Sequence, residues 1–118
     1  MIFPESILYA ADNGGGQKMK CIGGIGDLRA GDELIVTVHR AKWKRKVKKG
    51  KAYRGVLIQT RRWTRRPFGN QVKFCSNRVV LLKRGENLPI GSRVTKFSCY
   101  ELRKKGFLKI VTLSPGQI

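Results

Sequence analysis

The chain alternates short hydrophobic runs with turn residues, a pattern that is typical of an all-β barrel or sandwich. The clearest alternation lies at 34–39, where Leu34, Val36 and Val38 would share one face of a strand. By the same reasoning the sequence predicts strands at 7–11, 18–22, 34–39, 53–58, 71–74, 78–83 and 109–113. The turn residues between these runs leave little room for the long crossover helices of an α/β fold.

One segment predicts a helix, of two turns at most, over 98–106. Ser98 and Glu101 have the spacing of a reciprocal capping box, in which each side chain binds a free backbone N–H group. The basic residues at 103–105 would complement the helix dipole. Gly106 can adopt the left-handed conformation that ends a helix.

Composition adds a strong positive charge to this small β protein. A length of 118 residues suits one domain, 1–118, and the hydrophobic content of 41% argues against disorder despite the net charge of +19. Seventeen Lys or Arg and no Asp or Glu lie between Leu34 and Arg84. Because neutralised phosphates release counterions, such a surface should bind RNA or DNA strongly and in a salt-dependent way.

The positive charge concentrates in two segments, 40–51 and 61–66. Their charge density opposes burial, so we expect a basic ribbon at 40–51 and a second excursion at 61–70 to project from the barrel. Trp43 and Trp63 each lie among cations. Each could stack on a base or sugar, or could cover the rim of the barrel, and both interpretations stay open.

No pattern in the sequence indicates a catalytic site, a metal site or a cofactor. The single histidine, His39, lies on a predicted strand beside a cation. Asp27, Asp32 and Glu33 are expected to offset neighbouring positive charges or to cap turns. No stretch reaches the roughly twenty apolar residues that cross a bilayer, so no membrane association is expected. The cysteines form no C-x-x-C pair and are expected to be buried or half-buried free thiols: Cys21, Cys75 and Cys99.

A series of short segments carries a family resemblance. In chain order they are Ala11-Asp-Asn-Gly14, Lys20-Cys-Ile22, Gly31-Asp32, Lys46-Val-Lys-Lys-Gly50, Gly55-Val-Leu-Ile58, Arg65-Arg-Pro67, Gly69, Phe74, Asn77, Val80-Leu-Leu82, Pro89-Ile-Gly91, Arg93, Glu101-Leu-Arg103 and Leu108-Lys-Ile110. In order and spacing these segments resemble ribosomal protein L-fourteen, the universal large-subunit family of the bacterial and organellar type. The resemblance extends nearly from end to end.

The resemblance implies a small five-stranded β-barrel with a projecting basic β-ribbon and a short C-terminal helix. It implies a structural, non-enzymatic role without a cofactor: binding to large-subunit rRNA and to neighbouring large-subunit ribosomal proteins. It further implies a contribution to an intersubunit bridge with small-subunit rRNA. For members of the bacterial and organellar type, it also implies that the C-terminal face docks a ribosome-silencing factor.

The hypothesis assigns rRNA binding to basic and amide residues of the strands and the two basic segments. These are Asn13, Lys18, Lys20, Arg40, Lys42, Lys44, Arg45, Lys46, Lys48, Lys49, Lys51, Arg54, Arg61, Arg62, Arg65, Arg66, Asn77 and Arg78. Contact with the small subunit or with a protein is assigned to Tyr100, Arg103, Lys104 and Lys105. Most of the cations should bind phosphates and so lack sequence preference.

Departures from the family pattern at 43–45, 68 and 99–100, the added charge and a start aligned with that of the family favour a mitochondrial ribosome whose protein is encoded in the organelle. The bacterial cytoplasm is the alternative location. The alternative function is a free OB-like single-strand nucleic-acid-binding protein or RNA chaperone, which usually places several aromatics on one exposed sheet face. An RNA-processing enzyme would need a carboxylate or histidine cluster, which the sequence does not show.

Overall fold

The computed structural model describes residues 6–24, 28–42 and 46–118, and within them a closed five-stranded barrel and two short helices. The strands are β1 (Ile7–Ala10), β2 (Gly16–Gly23), β3 (Glu33–Ala41), β4 (Ala52–Gln59), β5 (Thr64–Arg65), β6 (Gln71–Val72) and β7 (Arg78–Leu81). The helices are α1 (Glu101–Lys104) and α2 (Leu108–Leu113). The predicted fold class is therefore confirmed.

The barrel order is β1-β2-β3-β4-β7, and β5 and β6 form a separate two-stranded hairpin. Five strands cannot alternate in direction all the way around a ring, so at least one neighbouring pair must be parallel. That pair is β1 and β7, in which Tyr9 pairs with Arg78 and Ala10 with Val79. Closure leaves the barrel without an unpaired edge strand.

The interior of the barrel is filled by the inward-facing side chains of the alternating strands. Leu34, Val36 and Val38 face this interior, as the sequence predicts. The other buried members of the cluster are Leu8, Met19, Cys21, Val47, Leu57, Val79 and Leu81. On the opposite face of β3, His39 is exposed, as expected for a histidine on a strand surface.

A second hydrophobic cluster covers the outer face of β4 and β7. The strands contribute Val56, Ile58 and Val80, which pack with residues of the C-terminal segment. The remaining buried members are Ala11, Leu82, Val94, Leu102, Phe107 and Ile110. Because β4 and β7 are buried on both faces, their sequences are continuous apolar runs and do not alternate.

Gly55 lets β7 approach the centre of β4 closely. A Cβ atom on Gly55 would lie 2.7 Å from Val79 Cγ2 and 3.3 Å from the Val80 carbonyl oxygen. Both neighbours belong to the strand that joins the two hydrophobic clusters, so neither can move without disturbing one of them. The glycine is thus required by packing.

The helix in the segment 98–106 is shorter than predicted, and the predicted capping box does not form. Helix α1 begins at Glu101, and its N-cap residue makes no side-chain capping bond. Ser98 is instead extended and pairs with Gln117, its N–H donating to the Gly116 carbonyl oxygen. Gly106 follows the helix with φ of 89°, so the predicted left-handed stop is confirmed.

The final strand predicted at 109–113 is also wrong, because this segment forms α2. Phe107 and Ile110 are buried in the outer cluster and Val111 packs against it. These positions have the i, i+3, i+4 spacing of one helix face, which a short apolar run also allows. Burial against β4 and β7 decides in favour of the helix.

We expect Gly55→Ala to lower the free energy of unfolding by about 1–3 kcal/mol, because the added methyl group overpacks the β4–β7 contact. Urea denaturation measures this change. Gly16→Ala is the matched control, since its Cβ would meet nothing nearer than 3.5 Å. That variant should change stability by no more than about 1 kcal/mol. Equal effects of the two substitutions would contradict the packing explanation.

Candidate nucleic-acid interface

Four outward-facing residues on neighbouring strands form a lateral row across the barrel wall. Strand register places Arg78 beside Tyr9, Tyr9 beside Lys18 and Lys18 beside Arg40. We call these four residues the cross-strand row. At the usual strand spacing the row extends over about 14 Å, with one aromatic ring among three cations.

The cross-strand row forms one wall of a groove of about 590 Å³. The turn at 12–17 and Lys42 line the rest of it. Lys42 is held there by its own N–H, which donates to the Gly15 carbonyl oxygen at 2.7 Å. The groove therefore brings together five residues that the sequence assigned to rRNA binding, namely Asn13, Lys18, Arg40, Lys42 and Arg78.

Arg78 is a fixed part of this groove. Its Nε donates to Ser76 Oγ at 3.0 Å and its Nη1 donates to the Ala10 carbonyl oxygen at 3.3 Å. The guanidinium carbon lies 5.6 Å from the centroid of the Tyr9 ring, within cation–π range. These contacts hold both the positive charge and the ring in place.

Two polar residues of the turn shape the floor of the groove. Asn13 Oδ1 accepts from the Arg93 N–H at 3.0 Å and its Nδ2 donates to Ser92 Oγ at 3.1 Å, so its amide positions the turn. Burial raises the pKa of Asp12, although the Gly14 N–H and other backbone N–H groups oppose this shift. Asp12 therefore retains its proton to a higher pH than a solvent-exposed carboxyl group does.

The basic ribbon at 40–51 is anchored by one apolar side chain. Val47 is only 1% exposed and belongs to the interior cluster, an exception to the exposure expected for this segment. Its N–H donates to the Gly14 carbonyl oxygen at 3.1 Å. Around it the cations are exposed: Lys46, Lys48, Lys49 and Lys51. The predicted site residues Lys44 and Arg45, together with Trp43, lie outside the described residues.

The second excursion at 61–70 carries β5 and presents exposed Arg61 and Arg65. Trp63 is 58% exposed, and Lys73 Nζ lies 5.6 Å from its ring centroid. Trp63 is therefore largely exposed, and stacking on a base or sugar stays a prediction. Asn77 Oδ1 accepts from the Arg61 N–H at 2.9 Å, so Asn77 positions the start of this segment.

The remaining strand and excursion residues assigned to rRNA binding are less exposed. Lys20 is half-buried on β2, in register with Ile7 and Thr37 on the neighbouring strands. Arg62 is also half-buried and lies with Trp63 in a shallow concave surface. Neither belongs to the cluster of side chains that fills the barrel interior.

Arg66 joins the second excursion to α1. Its Nε donates to Glu101 Oε1 at 3.0 Å, and its Nη2 donates to Glu101 Oε2 at 3.3 Å and to the Ile118 carbonyl oxygen at 2.6 Å. Its side chain is 10% exposed. The guanidinium group thus serves an internal contact and explains why Glu101 does not cap its own helix.

Two more of the predicted site residues have internal acidic partners. Arg54 Nη2 donates to Glu33 Oε1 at 3.2 Å, and Lys105 Nζ donates to Asp32 Oδ1. Burial alone would raise the pKa of Asp32, but the hydrogen bonds from Lys105 and from the Arg29 N–H hold it below the usual value. The expectation that Asp32 and Glu33 offset cations is confirmed, whereas Asp27 lies outside the described residues.

Helix α1 presents a separate basic surface. Arg103 and Lys104 are exposed, and Lys104 Nζ lies 5.1 Å from the ring centroid of half-buried Tyr100. Arg29, which sequence reasoning did not select, lies beside this surface with Arg65 and Arg66 in a cleft of about 250 Å³. Arg29 precedes the acid-free stretch in sequence, so only the three-dimensional structure shows that it lies in this cleft.

Other kinds of site receive no support from the described part of the chain. No helix there is long and apolar enough to cross a membrane. Within the same residues no three His, Cys, Asp or Glu side chains come together as metal ligands. Cys21 and Cys99 are buried, and burial raises the pKa of Cys99 to about 12, whereas Cys75 is exposed, contrary to expectation.

Comparison with known families matches the chain over its full length. The family model described as "Ribosomal protein L14p/L23e" matches residues 1–118. The matched range includes the cross-strand row, both basic segments and both helices. The family resemblance seen in separate short segments therefore holds for the chain as a whole.

We expect Arg66→Gln to lower the free energy of unfolding by about 1.5–3 kcal/mol, because Glu101 would lose its charged partner while still largely buried. Arg65→Gln is the control, since Arg65 is adjacent, basic and exposed, and it should stay within about 0.5 kcal/mol of the parent protein. Chemical denaturation of both variants measures the difference. Similar stabilities would show that the Arg66–Glu101 pair does not hold the excursion.

Proposed function

Because the chain belongs to the ribosomal protein L14p/L23e family, we propose that it binds large-subunit rRNA and contributes to an intersubunit bridge. The family consists of structural, non-enzymatic proteins of the large ribosomal subunit. A ribosomal location, with rRNA and ribosomal proteins as partners, follows from this membership. The finer assignments below rest on the charge and exposure of particular residues.

The observation that carries rRNA binding is a set of exposed cations in a stretch without acids. They lie on the basic ribbon, at the end of β3 and on the second excursion: Arg40, Lys42, Lys46, Lys48, Lys49, Lys51, Arg61 and Arg65. Crowded like charges repel one another, and phosphates relieve that repulsion while releasing counterions. A folded polyanion is thus the partner that these side chains fit best.

Internal pairing narrows the original assignment. Arg54, Arg66 and Lys105 each have an acidic partner within the protein, so we assign them to holding its structure together. Asn13 and Asn77 likewise use their side-chain amides to position the backbone. The proposed phosphate contacts therefore come chiefly from the exposed cations and from the cross-strand row.

We assign the intersubunit contact to α1. Arg103 and Lys104 lie in the last turn of the helix and are exposed, so they can reach phosphates of small-subunit rRNA. The ring of Tyr100 beneath Lys104 adds an aromatic surface suited to a protein partner, such as a ribosome-silencing factor. The two functions would then share one helix.

We favour a mitochondrial ribosome as the location, with a bacterial ribosome as the alternative. The support is the added positive charge and the departures from the family pattern at 43–45, 68 and 99–100. Sequencing the rRNA that copurifies with the protein distinguishes the two.

Charge reversal of the basic ribbon is the direct test of rRNA binding. The triple variant Lys46→Glu, Lys48→Glu and Lys49→Glu should reduce incorporation into large subunits at least about tenfold, because it replaces phosphate attraction with repulsion. Sucrose-gradient sedimentation of tagged protein measures incorporation. The control changes three exposed cations elsewhere, Arg84, Lys96 and Lys109, to Glu and should incorporate more fully. Normal incorporation of the ribbon variant would refute the assignment.

The bridge assignment makes a separate prediction. Arg103→Glu should leave incorporation into the large subunit unchanged but weaken association with the small subunit several-fold, because one positive charge at the interface becomes negative. Light scattering of purified subunits at graded Mg²⁺ concentrations measures association. Lys96→Glu, which makes the same charge change away from α1, should associate normally. An Arg103→Glu subunit that joins as well as the parent would exclude Arg103 from the bridge.

A further inference from the structure

We propose that the groove beside the cross-strand row binds a single unstacked RNA nucleotide, with its base against Tyr9 and its phosphates on Lys18 and Arg40. This inference rests on the proposed function, since it names the kind of rRNA element that one part of the surface would take. It distinguishes the groove, which includes Arg40 and Lys42, from the rest of the ribbon at 46–51, whose lysines bind phosphates regardless of whether a base is stacked.

The shape of the site favours one nucleotide over a duplex. The groove is concave, and its volume of about 590 Å³ falls within the range of about 300–1,000 Å³ that is usual for small-molecule sites. A duplex backbone is convex and could contact only the rim of the groove. An extruded nucleotide could enter and contact the walls.

The chemistry of the wall fits a nucleobase. Tyr9 is 38% exposed and lies between Lys18 and Arg78 in the row. Its ring is already held by the Arg78 guanidinium, whose own hydrogen bonds fix its position. The ring is thus ordered before RNA arrives, which reduces the entropy lost when a base stacks on it.

The floor leaves space for the nucleotide and offers a polar group to it. Gly15 and Gly16 line the groove without side chains, and Gly15 has a φ of 111°, which disfavours any other residue there. Gln17 lines the same groove and is exposed, so its amide can donate to and accept from the edge of a base. Asn13, in contrast, is committed to the turn.

The phosphates would lie on the β2–β3 side of the groove. Lys18 and Arg40 are opposite each other in strand register, with Lys42 beyond them. The three cations therefore flank the aromatic position on the side away from Arg78. When the base of an extruded nucleotide stacks on the ring, the phosphates attached to that nucleotide lie beside the ring. The three cations are placed to bind those phosphates.

The test compares two RNA hairpins, one fully paired and one identical except for a single bulged 2-aminopurine. The purified full chain should bind the bulged hairpin at least about fivefold more tightly, the lower limit for one base stacked on an aromatic ring. The 2-aminopurine fluorescence should fall on binding. Tyr9→Leu should abolish the preference and leave affinity for the paired hairpin within about twofold, whereas Tyr9→Phe should retain the preference.

Trp63→Leu is the matched control, because Trp63 is also exposed and also lies beside a cation. It should retain the preference for the bulge. Equal binding of the two hairpins by the unaltered protein would overturn the proposal, and this result requires no variant. A preference that survives Tyr9→Leu, or is lost only in Trp63→Leu, would also overturn it. None of these outcomes bears on rRNA binding by the ribbon, which is tested by incorporation of the lysine variant.

Discussion

Burial of β4 and β7 on both faces is the constraint on which the rest of the structure depends. One face of each strand closes the barrel interior, and the other supports the C-terminal segment. Helix α1 has only four residues and α2 six, so neither would form alone. Their packing on Val56, Ile58 and Val80 sets where Glu101 meets Arg66 and hence where the second excursion lies.

The packing of these elements also determines which cations have an acidic partner within the protein. The stretch from Leu34 to Arg84 has no acid in sequence, yet acids from outside it reach into it: Glu33 pairs with Arg54 and Glu101 with Arg66. These pairs join neighbouring elements and remove selected cations from the binding surface. What remains positive is concentrated on the ribbon, on the exposed part of the second excursion and along the groove. The two ion pairs thus engage Arg54 and Arg66 within the protein, while the exposed cations of the ribbon and of the groove can bind an external anion.

Local pattern predicted the barrel well because strand alternation reports burial directly, as at Leu34, Val36 and Val38. The local sequence pattern gave wrong predictions where contacts with residues distant in sequence determine the structure. Ser98 does not cap α1, because it pairs with Gln117. The segment 109–113 was predicted as a strand, but its five residues fit the helical period as well as the strand period, and it forms part of α2. The cross-strand row could not be predicted from sequence, since it requires the register of four strands. That register shifts on both sides of Lys18.

The parallel pairing of β1 with β7 has a consequence for the timing of folding. The row crosses β7, β1, β2 and β3, so it joins residues near the start of the chain to Arg78. During synthesis, a chain that has not yet released β7 from the ribosome can form neither the closed barrel nor the complete groove. Presentation of the groove therefore reports that the barrel has closed, and RNA that requires the whole row would select finished molecules over nascent ones.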